Sequence, residues 1–144
     1  MQLKQIFKNA TLSNCYLISE NYSDAKQVAD EFYFQDYILF EKISNKNRFF
    51  WLVRQLLQRT KRLWSICVKC KTFVSTGGIV AVIPGIFCFF LKRRIVYVET
   101  IAKTTNLTVT GKIFYKIADE FFVQDAGLLQ KFPKALYIGT LYRV

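Results

Sequence analysis

Apolar runs of strand length alternate along this chain with stretches of helical periodicity, and that alternation is what most limits the fold. Chains patterned in this way build βαβ units, with parallel strands in one sheet and helices packed against it. Cys15-Tyr16-Leu17-Ile18 reads as a strand. Ser23 then caps a short helix with Asp24 in its first turn and Ala25, Val28 and Ala29 on one side. A second extended stretch surrounds Tyr37-Ile38-Leu39, and Thr72-Phe73-Val74, Ile95-Val96-Tyr97-Val98, Phe121-Phe122-Val123 and Ala135-Leu136-Tyr137-Ile138 supply four more. Helical patterns run from about Asn47 to Cys70, from Ile79 to Leu91 and from Gly111 to Ala118, and a turn of helix with Pro133 separates the last two strands. There is no internal repeat and no linker. The expectation is one α/β domain over residues 1–144, built on a Rossmann-like parallel sheet.

The longest helical segment carries two messages. Phe49, Leu52, Val53, Leu56, Leu57, Leu63, Trp64 and Cys67 recur at three- and four-residue steps, which makes one apolar stripe. Arg48, Arg54, Arg59, Lys61, Arg62 and Lys69 fill much of the remainder, and no acid occurs from Lys42 to Lys71. Solvated helices usually mix signs, because oppositely charged pairs one turn apart support them. One-signed charge beside Phe50, Trp51 and Trp64 is the pattern of an interfacial amphipathic helix; the alternative is a core-packing helix with a basic outer face. The net charge of +11 calls for anionic partners, while an apolar fraction of 52% and an aromatic share of 17% favour a membrane surface over nucleic acid. The membrane-contacting set is therefore Arg48, Trp51, Arg54, Arg59, Lys61 and Arg62. Ile79 to Leu91 is almost continuously apolar, interrupted by Pro84-Gly85. It is short of the ~20 residues needed to cross a bilayer, and so is read as buried or half-inserted. Met1-Gln2-Leu3-Lys4 shows no signal-peptide pattern.

The absence of histidine from the sequence removes the commonest general base and metal ligand together. Catalysis would have to use carboxylates or be completed by another chain. Of the four cysteines, Cys67 and Cys70 form a C-x-x-C, but no second pair exists to complete a zinc site, and no metal is expected. The pair falls at the end of a helix rather than the start, so Cys15, Cys67, Cys70 and Cys88 read as reduced, structural thiols.

In an open parallel sheet, ligands bind beyond the carboxyl ends of the strands. Ser75-Thr76-Gly77-Gly78, Glu99-Thr100 and Gln124-Asp125 all fall there. The first is a strand–glycine loop–helix junction, where backbone can approach a ligand and helix N–H groups can face an anion, although a plain tight turn fits equally. Glu99 is the sole acid between Glu41 and Asp119. It could orient or deprotonate a hydroxyl, or simply pair with Arg93, Arg94 or Lys103.

These segments form an ordered series. Val74-Ser75-Thr76-Gly77-Gly78 is followed by Val96-Tyr97-Val98-Glu99-Thr100-Ile101-Ala102-Lys103 and by Leu107-Thr108-Val109-Thr110-Gly111-Lys112. Then come Ile117-Ala118-Asp119, Phe122-Val123-Gln124, Phe132-Pro133-Lys134-Ala135 and Tyr137-Ile138-Gly139. From about Thr72 to Tyr142 the series resembles bacterial capsular and exopolysaccharide glycosyltransferase subunits of the PssD/EpsE type. Those are similar to the membrane-anchoring subunit of the eukaryotic two-subunit GlcNAc transferase that extends dolichyl-diphosphate-GlcNAc.

The resemblance implies the N-terminal, acceptor-side half of a GT-B glycosyltransferase, held on the cytoplasmic face of the plasma membrane. A separate donor-binding subunit would carry the UDP-sugar, so no cofactor is expected on this chain. The acceptor would be a polyprenyl-diphosphate-linked sugar. In that frame Ser75, Thr76, Gly77, Gly78 and Thr100 bind the acceptor and Glu99 is catalytic. Leu141, Tyr142 and Val144 form a candidate docking segment for the partner. The family opens with a strand and a glycine-glycine-histidine loop before a helix resembling Leu3 to Phe7, so the sheet is expected to lack its first strand. The other outcome is a membrane adaptor that recruits the catalytic subunit and contributes no site residue.

Overall fold

A computed structural model describes residues 16–19, 36–39, 50, 53–54, 57–102 and 105–139. Four strands, β3 (Thr72–Ser75), β4 (Arg94–Val98), β5 (Glu120–Val123) and β6 (Leu136–Tyr137), pair in parallel in their chain order. Helices α2 (Val82–Phe90) and α3 (Val109–Ile117) connect β3 to β4 and β4 to β5, and α1 (Thr60–Lys69) precedes β3. The α/β, Rossmann-like expectation thus holds in strand direction and connection type. Strands β1 (Tyr16–Ser19) and β2 (Asp36–Leu39) pair in parallel but form a separate two-stranded sheet. Tyr16 and Ile18 meet the rest of the molecule through side chains, on a small cluster of Leu63, Ile66 and Val80.

Register explains the core. Phe73 lies opposite Ile95, Ser75 opposite Tyr97, and Tyr97 opposite Phe121, so these residues share one face of the sheet. That face packs with Cys67 of α1, Cys88 of α2 and Phe114 of α3. Aromatic rings carry much of it: Phe114 stacks on Phe73 at 6.1 Å and on Tyr97 at 4.7 Å, and Tyr97 stacks on Phe121 at 5.0 Å. Stacked rings of this kind add roughly 0.5–1.5 kcal/mol per pair beyond the area they bury. On the opposite face Val74, Val96 and Phe122 are only half-buried.

Pro84 does not interrupt its helix, contrary to the sequence reading. A 3-10 turn over Ile79–Ala81 leads into α2, and Pro84 occupies the third position of that helix. The first four N–H groups of a helix have no internal acceptor, so a missing donor there costs little. Gly85 is buried, and a Cβ at that position would lie 2.5 Å from Phe114 Cζ. The glycine is what lets α2 approach α3. The stretch read as one helix from Asn47 to Cys70 also differs, because Arg59 stands in a turn with φ −102° and ψ 5°. The cause is visible in the sequence: the apolar stripe lapses between Leu57 and Leu63, so the helical pattern is broken there.

Candidate functional site at the carboxyl edge of the sheet

Because β3, β4 and β5 are adjacent and parallel, their carboxyl ends bring Ser75–Gly78, Glu99–Thr100 and Gln124–Asp125 to one edge. The glycine loop is a built turn. Ser75 is buried, and its Oγ accepts a hydrogen bond from the Gly77 N–H at 3.2 Å. Gly77 and Gly78 have φ of +105° and +89°, which residues with a Cβ adopt only under strain. A Cβ on Gly77 would also stand 3.5 Å from Tyr97 Oη. Thr76 is half-buried and Gly78 exposed, so the outer part of the turn faces outward.

Glu99 is placed at this edge, with its side chain turned inward. It is 1% exposed. Its Oε1 accepts from the Thr100 N–H at 2.9 Å and its Oε2 from the Thr108 N–H at 3.1 Å. The Thr108 hydroxyl lies 3.1 Å from both oxygens and shares its one proton between them. That hydroxyl also accepts from the Gly111 N–H at 2.9 Å, as the cap of α3. A negative charge is thus set under the positive end of a helix, where it is favoured. Gly111 leaves the room for it, since a Cβ there would overlap Glu99 Oε2. The Glu99 backbone ties the neighbouring strand in, its N–H donating to Phe122 O and its carbonyl accepting from the Gln124 amide at 2.9 Å.

None of the basic partners offered by the sequence engages Glu99 among the described residues. Arg94 pairs with Glu120, and Arg93 donates to Val68 O. Lys103 lies outside the described residues. Burial pushes the Tyr97 hydroxyl well above its usual range; the Thr108 hydrogen bond opposes this shift and the Glu99 charge reinforces it. Tyr97 therefore stays protonated, 3.5 Å from Thr108 Oγ1.

Sequence reasoning underrated three members of this edge. The sequence marks Tyr97 only as a strand residue, and Thr108 falls before the helical pattern without a role of its own. Gly111 was taken as the start of a helix that in fact begins two residues earlier. The available signal was the capping preference: Thr108, directly before a helical pattern, is an N-cap residue with a donor to receive three positions on. Thr100 is half-buried, and its Oγ1 accepts from the Ala102 N–H at 3.4 Å.

The basic and aromatic groups offered for a membrane surface lie on other segments of the chain. Arg54, Lys61 and Arg62 are exposed and Arg59 half-buried; Arg48 and Trp51 lie outside the described residues. Trp64 packs edge-on against Phe87 of α2 yet is 45% exposed, and Phe89 and Phe90 at the end of α2 are 48% and 73% exposed. Lys92, Arg93 and Arg94 follow after Leu91. Among the described residues no helix is long and apolar enough to cross a membrane, and no group of three or more His, Cys, Asp or Glu could hold a metal ion. Leu141, Tyr142 and Val144 lie outside the described residues.

Residues 66–141 match the family model "Oligosaccharide biosynthesis protein Alg14 like", within a few residues of the series traced from Thr72 to Tyr142. Over 70 residues the chain is 56% identical to the UDP-N-acetylglucosamine transferase subunit ALG14 of Kluyveromyces lactis, which covers 40% of this chain and 30% of that protein. It is 35% identical over 91 residues to the human subunit of the same name, covering 63% of this chain and 41% of the human one. With the subunit from Eremothecium gossypii the identity is 30% over 103 residues, or 62% of this chain and 46% of that one. The chain therefore spans less than half the length of these relatives. No solved structure matches it. The relatives named are fungal and mammalian, so they support the eukaryotic side of the resemblance and add nothing to its bacterial, capsular side. The family match takes in more than half of the 144 residues and all three segments of the carboxyl edge, and the chain belongs to the Alg14-like family of oligosaccharide biosynthesis proteins.

Proposed function

We propose that this chain is the acceptor-side, membrane-associating subunit of a two-chain UDP-GlcNAc transferase acting on a polyprenyl-diphosphate-linked sugar. The observation that carries the reading is that the glycine loop, Glu99-Thr100 and Gln124-Asp125 all lie inside residues 66–141, the stretch that matches the Alg14-like family model; relatives of this chain are named as UDP-N-acetylglucosamine transferase subunits. In this reading the chain is one half of a GT-B arrangement, and the UDP-sugar binds on the partner subunit. The acceptor diphosphate, or its first sugar, lies against Thr76, Gly77 and Gly78, with Thr100 beside it and Ser75 holding the turn from below. Glu99 acts from beneath, by fixing the β4–α3 loop and the cap of α3.

The setting proposed is the cytoplasmic face of a membrane. Arg48, Arg54, Arg59, Lys61 and Arg62 meet anionic headgroups, Trp51, Trp64, Phe89 and Phe90 reach the acyl boundary, and Leu141, Tyr142 and Val144 dock the partner. Basic residues near an anionic leaflet contribute about 1 kcal/mol each. A capsular or exopolysaccharide setting would follow only if the host is bacterial.

The burial of Glu99 gives the adaptor reading a specific observation of its own, since a carboxylate with every oxygen engaged is a poor general base as it stands. One experiment tests both readings. The chain is reconstituted in liposomes with the donor-binding subunit, UDP-GlcNAc and a prenyl-diphosphate-GlcNAc acceptor. Transfer should need both chains, and Thr76→Val with Thr100→Val should reduce it at least tenfold while partner binding persists. Full transfer by the double variant would leave only the adaptor; efficient transfer by this chain alone would end the split-enzyme reading.

A further inference from the structure

The C-x-x-C motif leads to a thiol pair that its spacing does not suggest. Cys70 caps α1 in an extended conformation (φ −75°, ψ 146°), so the chain turns away from the helix there. Its Sγ lies 3.9 Å from that of Cys88, 18 positions further on in α2. Cys67 borders the pair: its own thiol donates to Pro84 O at 3.6 Å, its carbonyl accepts from the Cys70 thiol at 3.4 Å, and its sulfur also acts on the Cys88 thiol. Among the described residues all three are free thiols.

We propose that Cys70 and Cys88 form a reversible thiol–disulfide pair, oxidised by small hydroperoxides, that staples the end of α1 to α2 around the glycine loop.

The division of labour follows from the surroundings. Cys70 is half-buried and can be reached by a small oxidant, whereas Cys88 is fully enclosed. The neighbouring Cys88 thiol and the Arg93 guanidinium hold the Cys70 thiol down to about 7 against the opposing effect of burial, so a large share is thiolate at neutral pH. Cys88 is pushed the other way by the Cys67 and Cys70 thiols and by burial, and keeps its proton. Arg93 is anchored by donating to Val68 O at 2.7 Å, while its buried Nε has no acceptor.

The chemistry balances without a further reductant. The Cys70 thiolate attacks one oxygen of the hydroperoxide; the O–O bond breaks, hydroxide or alkoxide leaves, and the sulfur is oxidised by two electrons to a sulfenic acid. The Cys88 sulfur then displaces the sulfenic oxygen. The S–S bond forms as the S–O bond breaks, and the oxygen departs as water with the Cys88 proton. The sulfurs must close by about 2 Å to reach bonding distance, so α1 and α2 shift against each other. The ring so formed encloses β3 and Ser75–Gly78, which are tethered from both sides.

The test uses the reduced chain of residues 1–144. It is treated with hydrogen peroxide at neutral pH, alkylated, and mapped by mass spectrometry without reduction. The expected main product is a Cys70–Cys88 cross-linked peptide that dithiothreitol reverses, with Cys15 and Cys67 alkylated. A Cys67–Cys70 link, a link to Cys15, or Cys70 passing to the sulfinic acid without cross-linking would overturn the proposal. In Cys70→Ser, which alters a half-exposed position, Cys88 should resist peroxide at least tenfold longer; oxidation of Cys88 at the parent rate counts against the assigned order.

Discussion

Replacing Glu99 by glutamine changes almost nothing in shape and inverts half of its hydrogen bonding. The carboxylate accepts from two backbone N–H groups, those of Thr100 and Thr108, and from the Thr108 hydroxyl. A carboxamide has one acceptor oxygen, so its NH2 must face one of the two N–H groups. A buried donor left without an acceptor costs about 1–3 kcal/mol. Loss of the charge under α3 removes roughly another 0.3–1 kcal/mol. Relief from holding a charge at 1% exposure offsets part of this. A net loss of about 2 kcal/mol remains, or roughly 4–8 °C in Tm for a domain of this size. Glu99→Ala should lose more, because every donor is then orphaned and a cavity is left. Urea unfolding followed by tryptophan fluorescence reads the difference. A Glu99→Gln protein within about 0.5 kcal/mol of the parent would refute the buttress role; if it also abolished transfer in the reconstituted complex, Glu99 would be acting on the acceptor itself.

Gly85→Ala places a Cβ 2.5 Å from Phe114 Cζ and forces α2 and α3 apart, so a loss of about 1–3 kcal/mol is expected in the same unfolding assay. Combining Arg54→Gln with Lys61→Gln should weaken co-sedimentation with phosphatidylserine vesicles about 25-fold, at roughly 1 kcal/mol per charge, and leave binding to neutral vesicles unchanged. Alkylation of Cys70 by iodoacetamide should rise through a midpoint near pH 7. The same depressed thiol contributes stability that is complete above the ordinary cysteine range and is lost as pH falls through about 7, so unfolding midpoints should rise between pH 7 and 9. Cys70→Ser should flatten that rise.

The sheet was legible because its strands announce themselves. Phe73-Val74, Ile95 to Val98 and Phe121 to Val123 are short, β-branched or aromatic, and bounded by polar residues, and parallel connections put their ends on one edge. The edge could therefore be located before any coordinates. What each residue does there depended on direction, which spacing does not encode. By charge, Glu99 pairs with Arg93, Arg94 or Lys103 or acts on a hydroxyl, but the partners found are two N–H groups and the Thr108 hydroxyl, invisible to a reading by charge. The Pro84-Gly85 break was overread because proline at the third position of a helix removes no bond. Cys88 could not be matched to Cys70 from the motif, as their contact comes from α2 packing across the end of α1.

The most direct measurement is a pair of equilibrium titrations of the detergent-solubilised chain without its partner, one with a short-chain prenyl-diphosphate-GlcNAc and one with UDP-GlcNAc. The account predicts saturable binding of the lipid-linked sugar, weakened at least tenfold by Gly77→Val, and no measurable binding of UDP-GlcNAc. Binding of UDP-GlcNAc with no binding of the lipid-linked sugar would contradict it.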